Sequence, residues 1–133
     1  MVISPSGESL LYDAGWERDD RDAKRIFEVA QAAGLSRIDH FVLSHFRADH
    51  AGGMVALSKL IPFGHCYDRG DFIEPPNQRW RDAYLSVCKE KRTILKPGVL
   101  MRLGTPGIRG NPPDFESERL GWSCGFGPAG VCG

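Results

Sequence analysis

No apolar run approaches the ~18 residues that a membrane-spanning helix requires, which excludes such a helix in this stretch. Neither sign of charge is in excess. Lys+Arg and Asp+Glu both number 17, so net charge points to neither nucleic acid nor an anionic membrane. The start, Met1-Val2-Ile3-Ser4-Pro5, lacks the basic and apolar regions of a signal peptide, and a cytoplasmic location is the default expectation. Cysteine is scarce. Cys66, Cys88, Cys124 and Cys132 form no C-x-x-C pair, and each reads as a small buried hydrophobe or a tail residue in a reducing compartment. There is no G-x-G-x-x-G, Walker loop, G-x-S-x-G or zinc-finger spacing, and no histidine after His65.

What is present suits one soluble α/β domain with a modest core, since 41% of the 133 residues are apolar and 26% charged. Residues 1–98 carry pattern. Met1–Ser4 and Ser9–Tyr12 flank the turn signal Pro5-Ser6-Gly7 and predict a hairpin. Ala23, Ile26, Phe27, Ala30 and Ala33 fall at helical spacing before Gly34. Strands are predicted at 38–43, 63–67 and 93–95, and helices over 54–61 and along the Trp80, Ala83, Tyr84, Val87, Cys88 stripe. Strands separated by helices pair in parallel, which brings the ends of strands 38–43 and 63–67, and hence the turn Asp68-Arg69-Gly70-Asp71, to one sheet edge. Residues 99–133 read as an irregular tail: from Pro97 onward the chain holds 9 of the 16 glycines and 5 of the 9 prolines.

The chemistry concentrates in Ser44-His45-Phe46-Arg47-Ala48-Asp49-His50-Ala51-Gly52-Gly53. A strand that ends in two imidazoles and a carboxylate, followed by a glycine pair and a helix, presents metal ligands compactly. Imidazole and carboxylate suit zinc or iron, and a catalytic zinc takes three protein ligands and one water. Surface loop residues, with Asp49 capping the next helix, are the structural alternative.

This loop resembles the His-x-His-x-Asp-His loop of the metallo-β-lactamase superfamily, with Arg47 at the second histidine position. Ser9–Gly15 is similar to the family strand that ends in Asp-x-Gly, Ile38–Ser44 to the strand feeding the loop, and Ile61–Gly70 to the next strand and turn of a competence-protein-like bacterial subgroup. The resemblance implies the N-terminal half (residues 1–98) of an αββα sandwich. It also implies one or two zinc ions, a small-molecule substrate, and metal-bound hydroxide attacking an ester, amide or phosphoester-type bond. Carried over by position, His45 would bind the first metal and Asp49 and His50 the second. Asp49 would also be catalytic, orienting the hydroxide, and Asp13 would brace a ligand from behind. Arg47 has no lone pair to offer a metal. The alternative function is a catalytically impaired family remnant acting as a binding or interaction module. Half a sandwich also predicts self-association through an uncovered sheet face at strands 9–12 and 40–43.

Other residues have plainer readings. His65 and Asp68 could substitute as ligands, although an edge histidine and a turn aspartate are the simpler expectation. His40 reads as an exposed strand residue, Trp80 and Tyr84 as core, and Glu17–Asp22 as a solvated helix start.

Overall fold

The structure is a computed structural model that describes residues 1–70, 77–101 and 103–104. Its strands are β1 (Val2–Ile3), β2 (Ser9–Tyr12), β3 (Ile38–Leu43), β4 (Phe63–Asp68) and β5 (Arg92–Ile94). The helices are α1 (Arg21–Ala32), α2 (Ala48–Ala51), α3 (Met54–Leu60) and α4 (Gln78–Cys88). None of them is long and apolar enough to cross a membrane. Two short 3-10 turns, Arg18–Asp20 and Lys89–Lys91, lead into α1 and β5.

The five strands form one sheet in chain order. The β1–β2 hairpin is antiparallel, and every later pair is parallel, as crossovers through helices require. Register places Phe41 beside Cys66 and Leu43 beside Asp68 on one face, with His40 beside His65 and Val42 beside Tyr67 on the other. The first face is the core. Leu11, Phe41 and Leu43 are buried there with Ala23 and Ala30 of α1, Met54 and Leu57 of α3, and Trp80, Tyr84 and Cys88 of α4. Phe41 stacks on Phe63 at 4.7 Å, and Phe46 meets Tyr84 edge-on at 5.6 Å. Both C-terminal ends of β3 and β4 therefore lie at the same edge. This mixed α/β architecture matches one sheet-and-helix layer of the expected sandwich.

Three expectations change. His40 is not exposed but 1% accessible. The Tyr67 hydroxyl lies 3.1 Å from its Nδ1, and its Nε2 lies 2.8 Å from Glu8 Oε1, so an inward-facing imidazole is satisfied on both nitrogens. Burial, then the Glu8 charge, push the Tyr67 phenol up to about 12. Glu8 also accepts the Gly104 N–H at 2.6 Å, tying residue 104 to this face. With Val42 buried as well, the strand 40–43 part of that face is covered, whereas Tyr12 and Val2 remain 61% and 57% exposed on the hairpin. Cys66 and Cys88 form a disulfide between β4 and α4, where two isolated buried thiols were expected. Residues 99–101 form no strand. The rest of the predicted tail, apart from residues 103–104, lies outside the described residues, as do Cys124, Cys132 and Asp71.

Candidate functional site

Asp13, directly after β2, organises the loop. Its N–H donates to the Val42 carbonyl at 2.9 Å, extending the β2–β3 pairing, and the backbone then turns through a left-handed φ of 58°. That turn aims the carboxylate across the end of β3. Oδ1 accepts the Ser44 N–H at 2.8 Å, while Oδ2 meets the Ser44 hydroxyl at 2.9 Å and His50 Nδ1 at 2.6 Å.

Ser44 completes the network. With its proton given to Asp13, its oxygen accepts His45 Nδ1–H at 2.9 Å. In neutral rings, this places the lone pairs of both histidines on Nε2. The two rings lie 4.0 Å apart, and His50 Nε2 is 3.3 Å from Asp49 Oδ2. Asp13, His45, Asp49 and His50, which sequence reasoning named, thus converge. Ser44, which knits them, is the residue it missed; position alone, between strand and histidine, was the available signal.

The short helix α2 sets the spacing of Asp49 and His50. Arg47 occupies its N-cap position with extended backbone, and its carbonyl accepts the N–H groups of His50 and Ala51 at 3.1 and 2.7 Å. Asp49 lies inside this helix, and no side chain caps it. Behind it, the glycine pair admits the Ala14–Glu17 segment. A Cβ on Gly52 would lie 2.5 Å from Glu17 N, and one on Gly53 would strike the Ala14 carbonyl. Gly53 N–H instead donates to the Gly15 carbonyl at 3.0 Å, and Ala14 N–H to the His50 carbonyl at 2.7 Å. The glycines are required by close backbone approach.

The electrostatics around His45 are cationic. Burial first, then the charges of His50, Arg47 and Arg69, hold its imidazole below the usual range against the opposing pull of Asp13. Arg69 acts here from the turn after β4, the edge that topology pointed to. His65 and Asp68 do not join. The His65 ring stacks against His40 at 6.1 Å, and Asp68 is paired with Arg92.

Residues 1–119 match the sequence model of the Metallo-beta-lactamase superfamily. The chain belongs to that superfamily. It is 34% identical over 86 residues, or 61% of its length, to competence protein ComA of Neisseria gonorrhoeae. It is 25% identical over 107 residues, or 79% of its length, to recombination protein 2 of Haemophilus influenzae. The matched segments amount to only 12% and 13% of those relatives' own lengths. No solved structure matches the chain.

Metallo-β-lactamase proteins commonly bind zinc, an ion that takes imidazole and carboxylate donors. His45, Asp49 and His50 supply suitable atoms, and Asp13 behind His50 is the carboxylate–imidazole brace common to metal sites. Yet no three His, Cys, Asp or Glu side chains among the described residues are disposed to hold one ion. Arg47 stands in the same loop, and a guanidinium donates protons only. The residues present do not make a complete catalytic zinc site.

Proposed function

We propose that this chain is a catalytically impaired metallo-β-lactamase module, a binding half of a hydrolase lineage that turns over little substrate by itself. The observation that carries this reading is Arg47, a fixed cation within the loop where a neutral ligand would stand. For the lineage, we propose metal-dependent cleavage of an ester, amide or phosphoester-type bond. The names of the two relatives, a competence protein and a recombination protein, favour the phosphoester.

Zinc analysis after dialysis, on the parent and on Arg47→His, tests the proposal. The parent is expected to retain at most one weakly held zinc per chain. Arg47→His removes a positive charge and adds a neutral imidazole, and is expected to bind zinc on the order of tenfold more tightly. Hydrolysis of bis(4-nitrophenyl) phosphate is expected to stay near background for both proteins. Two tightly held zinc ions in the parent, or clear turnover with zinc added, would overturn the reading.

A further inference from the structure

Beside the histidine loop, a cleft of about 400 Å³ opens between the segment following Gly15 and the start of α4. That size falls within the ~300–1,000 Å³ of small-molecule sites. Two indoles line it, and each carries a guanidinium. Arg18 Cζ lies 4.9 Å from the Trp16 ring centroid, and Arg79 Cζ lies 4.2 Å from that of Trp80. Ala48, between Arg47 and Asp49, forms part of the wall, so the cleft adjoins the loop.

Trp80 is 7% accessible and anchored in the core, whereas Trp16 keeps 40% of its surface in solvent. The Trp16 backbone is fixed: its main-chain N–H donates to Asp22 Oδ2 at 2.9 Å, and the preceding Gly15 carbonyl accepts the Gly53 N–H. Arg79 projects from the first turn of α4, an eleven-residue helix whose N-terminal dipole adds to the local positive potential. Glu17 and Asp19 also line the cleft, adding acceptors. A flat aromatic plate, cations and hydrogen-bond acceptors together describe a ligand with a planar ring, an anionic group and donor groups. The balanced net charge of the whole chain conceals this local arrangement.

We propose that this cleft binds a nucleotide unit, with the base stacked on the Trp16–Arg18 plate and the phosphate paired with Arg79. Indole and guanidinium planes both accept bases by stacking. The Glu17 and Asp19 carboxylates take hydrogen bonds from the exocyclic amine and ribose hydroxyls. The proposal goes beyond the metal reading and needs no metal.

Tryptophan fluorescence of the full chain, titrated in EDTA, tests it. The probes are adenosine monophosphate, adenosine, inorganic phosphate and glucose. Adenosine monophosphate is expected to bind about tenfold more tightly than any of the other three. Trp16→Ala and Arg79→Met are each expected to weaken it by about tenfold, while Trp16→Phe retains most of the affinity. Both positions are exposed, and circular dichroism melts establish that the variants fold. Equal affinity for adenosine and its monophosphate, glucose binding as tightly, or no effect of either variant overturns the proposal. With EDTA present, failure of the zinc reading leaves this result untouched, and failure here leaves the zinc reading standing.

Discussion

Replacing Arg92 with alanine is expected to cost about 3–5 kcal/mol of folding stability, the usual loss when one partner of a buried ion pair is removed. Asp68 is 1% accessible at the end of β4. Arg92 grips it with two parallel bonds, Nε to Oδ2 at 2.7 Å and Nη2 to Oδ1 at 2.9 Å, and the Gly70 N–H adds a third at 2.7 Å. Tyr84 packs close enough that burial, and then Asp68, push its phenol up. Without the guanidinium, a carboxylate stays in the core with too few donors. Urea unfolding of the parent and of Arg92→Ala near neutral pH measures the loss, and Asp68→Leu combined with Arg92→Leu should recover part of it by removing both charges. A loss below about 1 kcal/mol would show that the pair is solvated. The consequence reaches the site, because Asp68 fixes the turn that carries Arg69.

The strands were legible because their signals are local. Ile38–Leu43 is a segment ending in the apolar run Phe41-Val42-Leu43, set between a helix stop and the loop, and its bounds come out as predicted. The α4 stripe was equally plain, since Trp80, Tyr84 and Cys88 are its buried positions. His45, Asp49 and His50 were found from their spacing and from the strand before them, and Asp13 from the resemblance to the family. What escaped was set by partners distant in sequence. His40 looks like a polar strand residue until Glu8 and Tyr67 close on its two nitrogens from other strands. Helix α2, with four residues, is too short for a 3.6-residue period to show. Trp16 and Arg79 are 63 positions apart in the sequence and meet across the cleft only through the tertiary fold. Arg47, by contrast, was visible from the start, because one residue out of pattern in a recognisable loop needs no structure to be noticed.

The Cys66–Cys88 disulfide yields the second large effect, and it went unanticipated because a pair separated by 22 residues on a strand and a helix leaves no spacing signature. Cross-linking at that separation restricts the unfolded chain by about 3 kcal/mol in the loop-entropy account. Reduction, or Cys88→Ser, is therefore expected to lower the melting temperature by on the order of 10 °C. Reduction alone should not unfold the domain. Both sulfurs are fully buried among Phe41, Phe63 and Tyr84 of the core cluster, and free thiols there still pack as small hydrophobes. Cys88→Ser should cost more than reduction, because it also places a hydroxyl in that apolar setting. A bond of this kind forms and persists under oxidising conditions. Chain made in an oxidising compartment should thus show Cys66 and Cys88 blocked to alkylation until reductant is added, and should melt higher than chain made in a reducing one. Intact-mass analysis after alkylation, paired with melts with and without reductant, measures both quantities. If Cys66 and Cys88 are alkylated in unreduced, unfolded protein from the oxidising compartment and reductant leaves the melt unchanged, the two residues act only as packed thiols, and α4 is held to β4 by apolar contact alone.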